Sequence, residues 1–466
     1  MFFGIIMYAA FGLLVKGSRR RPLTAKTGVR FPHKLLLGPG LRIRSHCFIR
    51  AHAKGGIGMK RSIRTVLFVG FVFAMLLVLA SCGKKDDTKN ETVTPTAAPT
   101  ETPTPTEVPA TPTPTPNPLD EMTLKDLYKD DFKIGVAIPN SLYASKAVTE
   151  EIAANFNSMT FENESKPDQI LDIKGCQSGL PDTYTEPKVK FDSIKRGMEY
   201  AKENGIAVRF HTLLWYQQTP EGFFTEDYQK GSPKVSREVM LKRMESYIRQ
   251  VMTYMEETYP GMVYCYDVVN EAVNPGEGDP NGLRAKSFWY EVVGPDFMNY
   301  AFEYARKYAP EGVDLYYNDY NCYSKSNQIL KVLEPILAAG NIDGIGMQCH
   351  LSTSTSVARE VIGTAKTFTK AGFKVQITEL DIGTTNTDNG FEIQAMKYKV
   401  LFQGVQKGKR DGSIDIDCIT VWGIHDSVSW RGDEYPLLYK WNGYKMTKKK
   451  AWYGAMQDPA IRAMEF

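Results

Sequence analysis

Eight short runs rich in apolar residues alternate with amphipathic helical stretches over residues 119–466. The predicted strands are FKIGVAI (132–138), NSMTF (157–161), AVRFHTLLW (207–215), VYCYDVVN (263–270), DLYYNDY (314–320), DGIGMQCH (343–350), KVQITELD (374–381) and CITVWGI (418–424). Between them, a stretch such as 240–255 carries apolar residues at helical spacing, and another ends at Gly205. The alternation predicts an α/β fold in which eight parallel strands close into a (β/α)8 TIM barrel, with functional residues at the C-terminal ends of the strands.

The residues before the predicted barrel do not share this pattern. Residues 1–58 hold 11 Lys and Arg and no Asp or Glu, and they are interpreted as translated upstream sequence or an extended leader. Residues 83–118 are mostly Lys, Asp, Glu, Thr and Pro, a composition that predicts an extended, semi-stiff linker. Neither segment has the apolar periodicity that a core requires.

Residues 59–82 have the anatomy of an export signal. In order, its parts are Met59, the basic Lys60, Arg61 and Arg64, a 15-residue apolar run (66–80), and Leu79-Ala80-Ser81-Cys82. The pattern resembles a bacterial lipoprotein signal peptide, in which Cys82 is lipidated and becomes the mature N-terminus. The alternative is a retained transmembrane helix, but the run is shorter than the about 20 apolar residues that a span requires. Both interpretations place the barrel outside the cytoplasm, and the signal favours a cell-surface lipoprotein or a secreted protein.

The net charge of +4 is due to the first segment, because the charge without residues 1–58 is −7. This removes the compositional support for nucleic-acid binding. The cysteines of the barrel region form neither a CxxC pair nor a metal-ligand spacing, and they are predicted to be small buried hydrophobic residues: Cys176, Cys265, Cys322, Cys349 and Cys418. We predict no cofactor and no metal site, contact with a membrane only through the lipid anchor, and a monomer.

Polar or aromatic residues end or follow seven of the predicted strands. They are Glu162, Asn163, His211, Trp215, Asn270, Glu271, Asn318, Tyr320, Gln348, His350, Glu379 and Trp422. Capping explains one polar strand end, whereas seven such ends at the same face of a barrel predict a shared site. Two carboxylates on opposite strands, with amides and tryptophans around them, fit hydrolysis of a glycosidic bond. The carboxyl groups stand roughly 5 to 5.5 Å apart when configuration is retained.

At these residues the sequence resembles glycoside hydrolase family 10, the endo-xylanases, along essentially the whole barrel region. The matching stretches are FNSMTFENESK (156–166), HTLLW with Gln218 (211–218), YDVVNEA (266–272), YYNDYN (316–321), DGIGMQCHL (343–351), ITELD (377–381) and VWGIHDSVSWR (421–431). Each stretch alone is a weak signal, but seven in this order and spacing are specific. The resemblance implies endo-hydrolysis of β-1,4-xylosidic linkages in xylan and xylo-oligosaccharides, with retention of anomeric configuration.

The resemblance also implies a role for particular residues. Glu379 corresponds to the nucleophile and Glu271 to the acid/base, with His350 and Asp381 orienting the nucleophile. Asn270 would hold the 2-hydroxyl of the sugar under attack. The implied substrate-binding shell is Glu162, Asn163, Lys166, His211, Trp215, Gln218, Tyr320, Gln348, Trp422 and Trp430.

The sequence departs from the family pattern beside the site, and two other functions stay open. Tyr216 stands where the family commonly has histidine, Phe161 where proline is frequent, and Ser165 where methionine is common. These departures put subsite preference in doubt, but they remove no catalytic group. The first alternative is a barrel hydrolase that cleaves β-glucan or aryl cellobiosides, since the two sugars differ by one hydroxymethyl group. The second is a non-catalytic lipoprotein that captures glycans.

Overall fold

The computed structural model describes residues 117–462, and parallel β-strands form its centre. The strands are β1 (Lys133–Ile138), β2 (Ser158–Phe161), β3 (Ala207–Trp215), β4 (Val263–Asn270), β5 (Asp314–Asp319), β6 (Gly344–Met347), β7 (His350–Ser352), β8 (Lys374–Gly383) and β9 (Ile416–Val421). Hydrogen-bonded neighbours run in the order β6, β5, β4, β3, β2, β1, β9 and β8, and β6 also pairs with β8. The sheet therefore closes on itself. The predicted (β/α)8 barrel is confirmed.

One predicted strand is divided in the structure. The run 343–350 becomes β6 and β7, because Cys349 adopts a left-handed backbone with φ of 59° between them. After this break, β7 pairs in parallel with the far end of β8, where His350 lies opposite Asp381. The break thus brings two residues of the predicted site into register.

A small hairpin at residues 439–448 was not predicted. Its strands are β10 (Tyr439–Trp441) and β11 (Met446–Lys448), which pair in antiparallel fashion. Asn442-Gly443 lies between them, and Gly443 has φ of 97°. An Asn-Gly pair between short strands is a strong hairpin signal, so the sequence did contain the information.

The α-helices follow the strands as the alternation requires. They are α1 (Leu124–Leu127), α2 (Lys146–Asn155), α3 (Pro167–Ile170), α4 (Ile173–Ser178), α5 (Asp192–Asn204), α6 (Arg237–Thr258), α7 (Phe288–Val293), α8 (Phe297–Tyr308), α9 (Cys322–Ala338), α10 (Thr364–Lys370), α11 (Asp388–Asp411) and α12 (Lys450–Ala455). Short 3-10 helices cover Pro118–Glu121, Asn140–Ala144, Glu221–Phe224, Pro275–Glu277, Asp426–Val428 and Gly432–Glu434, and a π-helix covers Val357–Gly363. Helix α5 ends at Gly205, whose φ of 63° gives the left-handed cap predicted there.

The strands are buried on both faces, as expected for a parallel sheet covered by helices. In β4, every residue except Tyr264 is buried. The apolar side chains of the strands and of the inner helix faces form one continuous core. The five cysteines of the barrel are free thiols buried in this region, as predicted from their apolar neighbours.

The two ends of the described chain meet at the face where the strands begin. Asn117 Nδ2 donates to Asp458 Oδ2 at 2.7 Å. Gln457, the neighbour of Asp458, donates to Gln406 Oε1 at 2.9 Å, and Gln406 Nε2 donates to Asp131 Oδ2 at 2.6 Å just before β1 begins. These contacts therefore lie at the N-terminal ends of the strands, opposite the face at which the polar residues gather.

The predictions for residues 1–58, for the signal at 59–82 and for the linker up to residue 116 lie outside the described residues. Within 117–462, no helix is both long enough and apolar enough to cross a membrane.

Candidate active site

The C-terminal ends of the strands surround a cavity of about 560 Å³, at the end of the barrel that we call the mouth. Both predicted catalytic carboxylates line it. The other lining side chains are Glu162, Asn163, Lys166, His211, Trp215, Gln217, Asn270, Tyr320, Asn321, Gln348, His350, Trp422, Trp430 and Arg431. The structure thus brings together the predicted site residues except two, Gln218 and Asp381.

These two residues lie just outside the cavity for different reasons. Gln218 follows the end of β3, and its Nε2 donates to Asp168 Oδ2 at 3.3 Å, so its neighbour Gln217 reaches the cavity instead. Asp381 is fully buried behind His350. Neither residue lines the cavity in this structure, and the substrate-binding role of Gln218 and the supporting role of Asp381 stay predictions.

Glu379 lies near the end of β8 with both carboxylate oxygens occupied. Asn318 Nδ2 donates to Oε1 at 2.8 Å, and His350 Nε2 lies 3.1 Å from Oε2. A register shift between β8 and β9, from Ile377 to Leu380, spans this residue. Irregularities of this kind re-aim side chains next to functional sites. Burial alone would raise the pKa of Glu379, but the hydrogen bond from His350 and the positive charge of Arg209 lower it below its ordinary value. Glu379 is therefore ionised at neutral pH.

His350 connects Glu379 to a second carboxylate. Its Nδ1 lies 2.9 Å from Asp381 Oδ2, which also accepts from Trp430 Nε1 at 3.0 Å. Arg431 contacts the other oxygen of Asp381 through Nη1. Burial disfavours the charged imidazole, yet Asp381 and Glu379 together raise the pKa of His350 above its ordinary value. A protonated His350 therefore donates to both carboxylates.

Glu271 comes directly after β4 in a left-handed conformation, with φ of 56°. Its backbone N–H donates to the Asn318 carbonyl oxygen at 2.9 Å. Gln348 Nε2 donates to Glu271 Oε1 at 2.9 Å. Positive φ is uncommon for residues other than glycine, and such strained positions cluster at functional sites. The conformation turns the side chain from the end of the strand into the cavity.

Neutral amides connect the two carboxylates. The Asn270 side chain lies 3.0 Å from Asn318 Nδ2 and, in the opposite amide orientation, 3.2 Å from Trp215 Nε1. Asn318 Oδ1 in turn accepts from Thr378 Oγ1 at 2.6 Å. A side chain at Gly346 would not fit, because a Cβ there would lie 2.4 Å from Asn318 Oδ1. Asn318, which the sequence placed only at a strand end, therefore organises the centre of the site.

A buried polar column lies beneath the cavity. His211 Nδ1 lies 2.7 Å from Asp267 Oδ2, and Arg209 contacts the same oxygen. Burial lowers the pKa of His211 despite this hydrogen bond, so the imidazole is neutral. The rings of Trp422 and His211 pack nearly perpendicular to each other, with centroids 5.6 Å apart. Because side chains alternate along a strand, 209 and 211 both point into the barrel, and this periodicity could have identified Arg209.

A cation lies at the β2 side of the cavity. Lys166 Nζ donates to Asn163 Oδ1 at 3.0 Å and lies 4.9 Å from the centre of the Trp215 ring. Burial lowers the pKa of Lys166, although Glu379 and Glu162 oppose that shift. Burial raises the pKa of Glu162, and Lys166 offsets part of the effect. Together with Trp215 these side chains form a wall with hydrogen-bonding groups and one flat apolar face.

Three lining residues were absent from the predicted shell: Gln217, Asn321 and Arg431. Asn321 and Arg431 both lay inside sequence stretches that carried the family resemblance, YYNDYN and VWGIHDSVSWR. Gln217 is next to the predicted Gln218, and only the conformation after β3 distinguishes them. The chemical roles of all the site residues remain predictions.

A comparison with protein families matches residues 123–458 to glycosyl hydrolase family 10. Endo-1,4-beta-xylanase B of Butyrivibrio fibrisolvens is 38% identical over 346 residues, which cover 72% of this chain and 53% of that protein. Endo-1,4-beta-xylanase A of Thermotoga neapolitana is 37% identical over 352 residues, covering 72% of this chain and 31% of the relative. The chain thus spans from about a third to about half the length of these relatives.

Solved structures give the same result. The CBM22-1-GH10 modules of endo-1,4-beta-D-xylanase 10B from Clostridium thermocellum, complexed with xylohexaose, align with a TM-score of 0.66 and 34% identity. The alignment covers 73% of this chain and 68% of that one. An endo-1,4-beta-xylanase from Caldicellulosiruptor owensensis aligns with a TM-score of 0.60 and 30% identity, covering 72% and 98% of the two chains. With its barrel, its two carboxylates and these relatives, the chain belongs to glycosyl hydrolase family 10.

Proposed function

We propose that the barrel hydrolyses β-1,4 linkages within xylan by double displacement, with retention of anomeric configuration. The observation that carries the proposal is the unequal setting of two carboxylates in one cavity. Glu379 is hydrogen-bonded to a cationic His350, whereas the side-chain hydrogen bonds of Glu271 come from neutral amides. Retaining hydrolysis requires one carboxylate that stays ionised and one carboxyl group that gives and takes a proton.

In the first step, Glu379 attacks the anomeric carbon while Glu271 gives its proton to the glycosidic oxygen. The bond between carbon and leaving oxygen breaks, and an ester between the sugar and Glu379 forms. Asn318 and His350 hold the two oxygens of Glu379, so the attacking oxygen is positioned before the substrate arrives. Asn270 lies beside them, where it would hold the 2-hydroxyl of the sugar under attack.

In the second step, Glu271 acts as a base. It removes a proton from a water molecule, whose oxygen attacks the anomeric carbon and releases Glu379 as a carboxylate. Two inversions at the same carbon give net retention. His350 keeps its hydrogen bond to Asp381 when Glu379 is esterified, because that bond uses the other ring nitrogen.

The choice of xylan as the substrate rests on the relatives and on the sugar-binding wall. Both relatives and both aligned structures are named as xylanases, and one of them is in complex with xylohexaose. The flat rings of Trp215, Trp422 and Trp430 line the cavity beside Lys166 and Asn163. Such rings pack against the C–H faces of sugars, while amides and cations bind hydroxyl groups.

The test measures new reducing ends and product anomers when the full chain is incubated with linear β-1,4-xylan or mixed-linkage β-glucan. We expect short xylo-oligosaccharides that are β-anomers when first released, and no activity for Glu379→Ala. Cleavage of β-glucan alone would replace the proposed substrate. Binding to either polymer without cleavage would leave only glycan capture.

We also propose that the chain is exported and anchored through a lipid on Cys82. The support is the order of a basic stretch, a 15-residue apolar run and small residues before the cysteine. Metabolic labelling with a fatty acid should mark the wild-type chain and not Cys82→Ala, and the variant should leave the membrane fraction. Labelling that persists in the variant would contradict the anchor.

The barrel is proposed to act as a monomer at the cell surface or after release. Light scattering on the purified chain should give the mass of one copy, 52.4 kDa before any processing. A mass of two copies that persists on dilution would contradict this.

A further inference from the structure

Arg284 lies behind the cavity wall, where it contacts four groups near Glu271. Its Nε donates to the backbone oxygen of Glu271 at 3.0 Å, and Nη2 donates to the Tyr320 hydroxyl at 3.2 Å. The guanidinium carbon lies 3.8 Å above the centre of the Tyr216 ring. Nη1 forms an ion pair with Glu277 Oε1 at 3.5 Å. The residue is 7% exposed, so these contacts occur away from bulk water.

The loop after β4 brings Arg284 back to the start of that same loop. The backbone N–H of Arg284 donates to the Ala272 oxygen at 2.7 Å, and Val273 and Leu283 form an antiparallel bridge. A main-chain contact and a side-chain contact thus join Arg284 to consecutive residues, Ala272 and Glu271. Removing a guanidinium from water costs free energy, so a buried Arg without a role in stability or function is unfavourable.

We propose that Arg284 is a positioning residue for the acid/base step of the reaction proposed above, and the inference rests on that function. The hydrogen bond from Nε holds the carbonyl of Glu271, whose backbone is in the uncommon left-handed region. The other donors of the guanidinium fix Tyr320 and Glu277. The orientation of the Glu271 carboxyl therefore depends on a side chain that does not itself line the cavity.

The forked shape of arginine explains why this residue type suits the position. The planar guanidinium donates in several directions and packs its face on Tyr216. Lysine keeps the charge, but it cannot satisfy Glu271, Tyr320 and Glu277 at once. Arg284→Lys should therefore position Glu271 in part. Arg284→Met should not position it, although methionine keeps an apolar stem of similar length.

The prediction separates substrates by their need for a proton. Cleavage within xylohexaose expels a sugar hydroxyl group, a poor leaving group that requires a proton from Glu271, whereas dinitrophenyl β-xylobioside releases a phenolate that needs none. Arg284→Met should lower kcat/KM on xylohexaose by roughly 10- to 100-fold, the cost of a small misplacement of a catalytic group. On the aryl substrate kcat/KM should change by less than about 3-fold. A purely structural loss would lower both values alike.

The control variant is Arg237→Met, because Arg237 makes the same kinds of contact and neither it nor its partners line the cavity. It forms an ion pair with Asp296 at 2.7 Å, donates to the Val293 oxygen and lies 5.4 Å from the centre of the Tyr300 ring. We expect no difference between the two substrates for this variant. If Arg284→Met lacks the native circular dichroism spectrum, Arg284→Lys decides the question by the same ratio.

Glu271→Ala serves as the reference, because it removes the proton donor itself. Should Glu271→Ala fail to separate the two substrates, the acid/base role in the proposed function fails. Suppose instead that Glu271→Ala lowers kcat/KM on xylohexaose alone, while both Arg284 variants lower it equally on the two substrates. Then only the inference about Arg284 is overturned. A selective loss on xylohexaose for Arg284→Met or, in its place, Arg284→Lys supports it.

Discussion

Glu379 and Glu271 line one cavity, but a cation and an amide hold the carboxylate of the first, whereas an amide alone holds that of the second. A protonated His350 donates to Glu379, and behind it Asp381 binds both His350 and Arg431. Glu271 accepts from Gln348, and its backbone oxygen accepts from Arg284. The cation near Glu271 thus contacts its main chain, and the cation near Glu379 contacts its carboxylate.

The different surroundings of the two carboxyl groups match the different roles proposed for them. A carboxylate paired with a cation keeps its negative charge over a wide pH range, which suits attack on carbon. In the proposed reaction Glu271 gives a proton in one step and takes one in the next, and its carboxyl group accepts from the neutral amide of Gln348. In the proposed reaction, two residues of the same type thus have different tasks because their surroundings differ.

Removing Glu379 should have the largest effect, because no other group can replace a nucleophile held at both oxygens. Glu379→Ala should lower kcat about 10⁴-fold or more on xylan and on activated aryl xylobiosides alike. Steady-state rates on the two substrates provide the measurement. An aryl substrate that is still cleaved at the wild-type rate would assign the attack to another residue.

Removing Glu271 should affect the two kinds of substrate differently, unlike the removal of Glu379. Glu271→Ala should lower kcat/KM on xylo-oligosaccharides by about 10²- to 10⁴-fold, the usual worth of a general acid. On an activated aryl substrate it should leave kcat/KM nearly unchanged. Added azide, which needs no general base, should then speed turnover and give a β-glycosyl azide. Equal losses on both substrates would mean that Glu271 is not the proton donor.

Removing the charge of His350 should shift a pH profile. His350 lowers the pKa of Glu379, so His350→Gln should raise that pKa. The acidic limb of kcat/KM should move to higher pH by about one to two units, since one opposite charge at this range has that effect. His425→Gln is the control, because burial lowers the pKa of His425 and its ring packs on Trp441 instead. An unmoved acidic limb in His350→Gln would mean that this charge does not keep Glu379 ionised.

The smallest effect is expected at Trp430, which is 61% exposed at the edge of the charged network. Trp430→Phe keeps a ring beside His350 but removes the hydrogen bond to Asp381. The loss of one such bond should raise KM for xylohexaose by roughly 2- to 10-fold with little change in kcat. Trp441→Phe, on the hairpin, should leave both constants unchanged. A fall in kcat as large as that of His350→Gln would show that Trp430 acts on the nucleophile.

The sequence predicted the parts of the molecule that depend on local pattern. Alternation of apolar residues located the barrel strands, and motif order located Glu271 and Glu379 at their ends. Left-handed backbone at Glu271 and Cys349 could not be predicted, because neither residue type favours it. The division of β6 from β7 at Cys349 followed from that conformation.

The sequence also did not predict contacts made through the folding of loops. Arg284 lies 13 residues after Glu271 in a loop, and only the folded loop brings them together. The direction of the Gln218 side chain is a similar case, since the turn after β3 directs it to Asp168 and not into the cavity. Residue type and spacing are the same whether a side chain enters the cavity or turns away from it, so the sequence pattern could not predict the direction.

The contact between Asn117 and Asp458 has a practical consequence for building with this barrel. Both ends of the domain leave from the face opposite the mouth, so a partner protein fused at either end would not obstruct a polysaccharide entering the cavity. Ends this close also suit circular permutation, in which a short peptide joins them and a surface loop is opened instead. The barrel can therefore be fused to another protein or circularly permuted while its cavity stays accessible to the polysaccharide.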